Sequence, residues 1–180
     1  MNNMKVAILA GGFGTRLAEH TDRIPKPMVP IGNHPILWHI MKGYETFGYT
    51  DFVVAAGYKS DVIKDYFVDY RHRRGDITVS LQSGEITFHN GETEDWKVTV
   101  LDTGLDSDSG WRVRLVAEHL KDEAFMLTYG DGVANVDIDQ LIEFHRSHRK
   151  LVTMTVVRPP ARFGAVTFEG DKVVKFDEKP

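Results

Sequence analysis

A lysine locked between prolines, Pro25-Lys26-Pro27, follows a loop of the form Gly11-Gly12-Phe13-Gly14-Thr15-Arg16. An apolar run, Lys5 to Ala10, precedes both. Glycines let a backbone approach a ligand closely and turn its N–H groups toward negative charge. Arginine grips phosphate oxygens through a planar fork of donors, and lysine supplies a point charge. Fixed φ angles on either side of Lys26 return that charge to one place. Together these residues describe a site for a phosphorylated anion. Taken singly, each is equally an ordinary turn residue or a solvated cation.

Three anion loops compete for this pattern. A P-loop needs Gly-Lys-Ser/Thr after its glycines, but Gly14 is followed by Thr15 and Arg16. A dinucleotide fingerprint needs a third glycine and an acid at the end of the second strand. Here Leu17 takes the third place, and Asp51 begins the second apolar run instead of ending it. What remains is a wide glycine loop facing the base and phosphates of a nucleotide.

A second cluster lies in Tyr129-Gly130-Asp131-Gly132. A carboxylate at a strand end, freed by glycines, can reach a magnesium ion, which usually keeps one or two protein carboxylates and several waters. Asp-Gly is also a plain turn signal, so the residues alone leave both readings open. The stretch DTGLDSDSGWR reads as a polar loop entering a helix, with Ser109 as a candidate N-cap. His145 and His148 form an H-x-x-H without an evident third ligand, which argues against a metal site. Arg71 to Arg74 follow a helix end, where cations suit the dipole.

The elements that must position these residues read as alternating strand and helix. Lys5–Ala10, the run DFVVAAG and the run AFMLTYG are expected as buried strands. Pro35 opens a helix carrying Leu37, Ile40, Met41 and Tyr44 on one face, closed near Gly48. Ser60 is expected to cap a second helix, and RVRLVAEHL and IDQLIEFHRSHR to form two more. DITVSLQ and EITFHN suggest a hairpin about Gly84, and DWKVTVLD a strand. LVTMTVV, GAVTFEG and KVVKFDE read as closing strands. This order predicts an α/β fold, Rossmann-like, with a mostly parallel sheet and helices on both faces. Its ligand would sit beyond the carboxyl ends of the strands.

Composition narrows the field. The 180 residues suit one domain, and a net charge of -4 provides no basic field for nucleic acid. The absence of cysteine excludes disulfides and thiolate metal sites and fits a reducing cytoplasm. No apolar run reaches the roughly 20 residues of a membrane span.

LAGGFGTRL with PKPMVPIG and PILWHIM resembles the sugar-1-phosphate nucleotidylyltransferases. AAGYKSDVIKDYF, VTVLDTG, YGDGVANVDI, RFGAVTFEG and FDEKP extend the resemblance over the whole chain, toward members that use CTP and glucose 1-phosphate. It implies a nucleotide-diphospho-sugar transferase type of fold. The implied reaction is in-line attack of the sugar phosphate on the α-phosphorus, with pyrophosphate leaving and Mg2+ as cofactor. Arg16, Lys26 and Asp131 would be catalytic, with Asp131 on the metal. Leu9, Ala10, Gly11, Gly12, Gly14 and Thr15 would hold the nucleotide, aided by Arg16 and Lys26. Ser109, Arg112 and Gly130 would complete that site, and Glu178 and Lys179 would meet the sugar phosphate. Ser109 and Trp111 depart from the family's threonine and glycine, so this loop is expected to differ in shape. The family's frequent oligomers imply a homo-oligomer. Its members continue past the Glu-Lys-Pro step, so residues 1–180 are expected to form one catalytic domain lacking its C-terminal portion. Three alternatives stay open: another nucleotide or sugar, a nucleotide-binding domain without activity, and the weakened nicotinamide reading.

Overall fold

The computed structural model describes residues 4–12, 24–121, 123–157 and 165–177. Strand β1 (Lys5–Ala10) is a continuous apolar run, and five of its six residues are buried. A single 3-10 turn, Lys26–Met28, follows, then a two-residue antiparallel pairing of Pro30–Ile31 with His34–Pro35. Helix α1 (Ile36–Glu45) starts directly after Pro35, whose missing N–H is harmless at a helix entrance. It buries Leu37, Ile40 and Met41, and Gly48 takes the positive φ of 82° that ends such a helix cheaply. Strand β2 (Asp51–Ala56) repeats the burial pattern of β1.

Helix α2 (Ser60–Val68) corrects the expected cap. Its N-cap is Lys59 in the left-handed region, while the Ser60 hydroxyl donates to Asp102 Oδ2 at 3.0 Å. The side chain found a tertiary acceptor, so it does not serve the local N–H groups. Strands β3 (Asp76–Val79) and β4 (Ile86–His89) form the expected hairpin, with Gly84 at φ 75°. Strand β5 (Lys97–Asp102) leads to helix α3 (Ser109–Leu120) and strand β6 (Phe125–Tyr129). Helix α4 (Ile138–His148) begins directly after Asp137.

The central sheet has the order β5-β2-β1-β6 and is parallel throughout. Ile8 lies opposite Val54 on one side and Thr128 on the other. Alternation along the strands sorts two faces. Ala7, Leu9, Val53 and Ala55 pack against Val116 and Leu120 of α3. Val6, Ile8, Phe52 and Val54 point the other way and are equally buried. There Phe52 meets Trp96, Trp96 meets Trp38 of α1, and Tyr44 of α1 is hydrogen-bonded to Thr128. Helices therefore cover both faces, as right-handed crossovers require when α1 carries the chain from β1 to β2 and α3 carries it back in the opposite direction from β5 to β6.

β6 departs from expectation. It is an outer strand among the described residues, and only Met126 is buried, with Leu127 and Tyr129 largely exposed. An apolar run does not tell a central strand from an outer one.

By contact density the chain divides into residues 1–139 and 140–180. In the second unit β7 (Ala165–Glu169) and β8 (Lys172–Asp177) form an antiparallel hairpin turning at Gly170, as expected for two of the closing strands. The third, LVTMTVV, is not a strand: residues 151–157 carry no ladder and are mostly exposed. Its β-branched composition favours extended backbone, but a strand needs a partner for its N–H and C=O groups. His145 Nδ1 and His148 Nε2 each lie 2.8 Å from the Thr153 hydroxyl, which ties this segment back to α4.

Candidate active site

β1 lies between β2, reached by one crossover, and β6, reached by a connection running the other way. Such a switch of direction opens a crevice at the carboxyl ends of the strands. A cleft of about 480 Å³ occupies that position. Leu9, Ala10, Gly11 and Gly12 form one wall, Ser107 to Ser109 and Arg112 a second, and Lys26, Pro27, Tyr129 and Asp131 a third.

Each wall is held by local rules. Pro25 and Pro27 frame the turn that presents Lys26, closed by Met28 N–H to Pro25 O at 2.8 Å. Gly130 donates its N–H to Leu9 O at 2.9 Å, and a Cβ there would press on that same carbonyl and on Pro27. The glycine lets the end of β6 close against β1 and carries Asp131 to the cleft. Asp131 Oδ2 then lies 2.6 Å from Lys26 Nζ, and both side chains are partly exposed. Asp108 caps α3 by accepting the Trp111 N–H at 2.7 Å, so the cap is Asp108 and Ser109 is the first helical residue. Trp111 lies in the first turn of the helix and is half exposed, with Arg114 over its ring. The N-terminus of α3 lines the cleft, and a helix start favours an anion.

The burial of Arg112, a residue expected in the site, is the site's least expected feature. Arg112 is 4% exposed, and its guanidinium donates to Gly11 O at 3.0 Å, Ala56 O at 3.3 Å, Leu105 O at 3.4 Å and the Thr103 hydroxyl. A Cβ on Gly11 would lie 2.1 Å from Arg112 Nη1, and one on Gly57 2.5 Å from it. Among the described residues no carboxylate pairs with it directly; burial lowers its pKa, and only the longer-range fields of Asp102 and Asp108 oppose that. Asp102 is itself held below the usual carboxylate range by the Gly104 N–H and the Ser60 hydroxyl.

Residues 5–180 match the model of the family described as Nucleotidyl transferase. The chain belongs to the nucleotidyl transferase family. It is 50% identical over 178 residues to the glucose-1-phosphate cytidylyltransferase of Salmonella typhi, covering 98% of this chain and 69% of that protein. A protein of Bacillus subtilis named "Probable glucose-1-phosphate cytidylyltransferase" is 42% identical over the same shares. HddC from Yersinia pseudotuberculosis complexed with GMP-PN superposes with a TM-score of 0.60 at 25% identity, covering 98% of this chain and 69% of that one. The fold is thus that of the nucleotide-diphospho-sugar transferases, and the chain is a nucleotidyltransferase.

Within this family member the cleft gathers Leu9, Ala10, Gly11, Gly12, Lys26, Ser109, Arg112 and Asp131, with Gly130 directly behind. Gly14, Thr15, Arg16, Glu178 and Lys179 lie outside the described residues. Tyr129, Pro27, Ser107 and Asp108 are lining residues that sequence reasoning did not select. Tyr129 lies within the Tyr129–Gly132 stretch and Asp108 within DTGLDSDSGWR, so their position was the available signal. Among the described lining residues, two cations (Lys26, Arg112) offset two carboxylates (Asp108, Asp131), which leaves no net charge to meet a triphosphate. Asp131 offers one pair of hard oxygens to the cleft, a donor set that fits a magnesium ion completed by waters and phosphate oxygens. No group of three or more His, Cys, Asp or Glu that could hold a metal exists among the described residues, so a site built wholly from protein ligands is not present there. No helix among them is long and apolar enough to cross a membrane.

Proposed function

We propose that the chain transfers a cytidylyl group from CTP to glucose 1-phosphate, giving CDP-glucose and pyrophosphate. A phosphate oxygen of the sugar attacks the α-phosphorus, and the bond from that phosphorus to the bridging oxygen of the β-phosphate breaks. The attacking oxygen is already anionic near neutral pH, so no general base is needed. The chain's task is to position two polyanions and offset their repulsion. The observation that carries this reading is the cleft at the switch point, where Lys26 and Asp131 meet the glycine loop. The relatives' names choose cytidine and glucose.

Each residue has a role in this reading. The backbone of Leu9 to Gly12, continued by Gly14 and Thr15, faces the base and phosphates. Arg16 and Lys26 neutralise the triphosphate, and the start of α3 at Ser109 faces the same anion. Arg112 serves the nucleotide from within the wall. Asp131 would hold Mg2+, which supplies further positive charge to the phosphates when bound. Glu178 and Lys179 meet the sugar phosphate. Residues 1–180 act as one catalytic domain, in the cytoplasm that a cysteine-free composition suits, and as a homo-oligomer whose mass light scattering would give.

Pyrophosphate release from CTP, glucose 1-phosphate and Mg2+ tests the reading. Release that requires all three is expected. Faster release with UTP, dTTP or GTP would reassign the base. Nucleotide binding without turnover would leave a binding domain.

A further inference from the structure

A buried cation needs a reason for its place, and the surroundings of Arg112 supply one. Its four acceptors come from three separate stretches: Gly11 after β1, Ala56 at the end of β2, and Thr103 and Leu105 in the loop after β5. Thr103, 3% exposed, donates its hydroxyl to Ala56 O at 2.5 Å and accepts from the Arg112 guanidinium. The Thr103 N–H meets the same carbonyl at 2.8 Å. Gly11 O receives a second donor, the Tyr58 N–H at 3.3 Å. The peptide following Gly11 is thereby fixed from outside the loop it belongs to.

We infer that Thr103 is a positioning residue for nucleotide binding, acting through Arg112 on the Gly11–Gly12 backbone. The inference rests on the reading of this cleft as the CTP site. A guanidinium forms a planar fork and can serve several acceptors, but it also rotates about its stem. The Thr103 hydroxyl is the one side-chain acceptor among the four that oppose that rotation. It takes one Nη1 proton and leaves Nη2 directed at Gly11 O. The missing Cβ atoms of Gly11 and Gly57 provide the space into which the planar group slides. Thr103 itself does not line the cleft. Its effect therefore reaches the nucleotide through Arg112 and the loop that Arg112 holds, and not by contact of its own.

Thr103→Val keeps the shape of the side chain and removes the hydroxyl. The loss of a hydrogen bond to a charged group is worth about a tenfold change or more. The expected result is a KM for CTP raised about tenfold, a KM for glucose 1-phosphate within twofold of wild type, and restoration by Thr103→Ser. Amide hydrogen exchange in the peptide containing Leu9 to Gly12 gives a readout independent of turnover. It should quicken about tenfold in Thr103→Val and recover in Thr103→Ser. Unchanged exchange in that peptide, or equal rises in both KM values, overturns the inference. A wild-type chain that turns over no CTP overturns the functional reading instead, and the exchange measurement still decides the role of Thr103.

Discussion

At the scale of the residue, charge and exclusion do different work in the cleft. Lys26 and Asp131 are partly exposed, so their ion pair adds little to stability and their value lies in what they meet. Lys26→Ala should lower turnover at least a hundredfold, since a cation aimed at transition-state charge is commonly worth about 3 kcal/mol or more. Its thermal midpoint should barely move, and steady-state rates with melting curves check both halves. Gly11 is the opposite case. Gly11→Ala places a methyl group against the Arg112 guanidinium and should destabilise the fold by about 1–3 kcal/mol in urea titration. Combining it with Arg112→Ala, which vacates the space, should cost less than the sum of the two changes. That Gly11, Gly12, Lys26 and Asp131 share one end of the sheet was legible in the sequence, because the glycines and Asp131 follow apolar strand-like runs, although the residues alone left the role of Asp131 open. The Arg112 contact was not, because its partner Gly11 is 101 residues away and nothing local announces it. Ser109 illustrates the same limit: Asp108 and Ser109 are both good caps, and the turn geometry chose the aspartate.

At the scale of the element, one polar hub fastens α1 to the chain that follows α2. Trp38 Nε1 and Arg74 Nη2 both donate to the Tyr70 hydroxyl, which donates to Glu94. Burial alone would raise the pKa of Glu94, but the Tyr70 hydroxyl, with Arg74 and Lys42 nearby, holds it below its ordinary value. A carboxylate depressed in the folded state lends stability above its ordinary pKa, near 4.5, and loses it as pH falls through the lowered value. Melting temperatures of wild type and Glu94→Gln should therefore differ by a constant amount above about pH 5 and converge in more acid solution. A difference independent of pH would remove Glu94 from this role. The central strands and α1 were legible from apolar periodicity. Two judgements about strands were not. β6 was expected to be buried and is an outer strand among the described residues, and residues 151–157 were expected to pair and do not pair with any of them. Both failures have one cause: composition speaks of a residue's preference for extended backbone, while pairing depends on which segment arrives beside it.

At the scale of the whole molecule, the cleft draws its walls from segments far apart in the chain, so a bound ligand ties the first unit together. A ligand that binds only the folded state, at a hundredfold excess over its Kd, stabilises it by about 2.7 kcal/mol. For a chain of this size that corresponds to a rise in Tm of about 5–10 °C. Mg–CTP should produce it, NADH should not, and scanning fluorimetry distinguishes them. A rise with NADH alone would reopen the nicotinamide reading. The sheet order has a further consequence, for the chain during its synthesis. β1 is made first yet sits inside the sheet, and Lys5 pairs with Phe125, 125 − 5 = 120 residues later. At about 5–20 residues per second, the ribosome takes about 6–24 s to deliver that neighbour. During this interval one edge of the most apolar strand has no native partner, the condition under which nascent chains mispair or recruit chaperones.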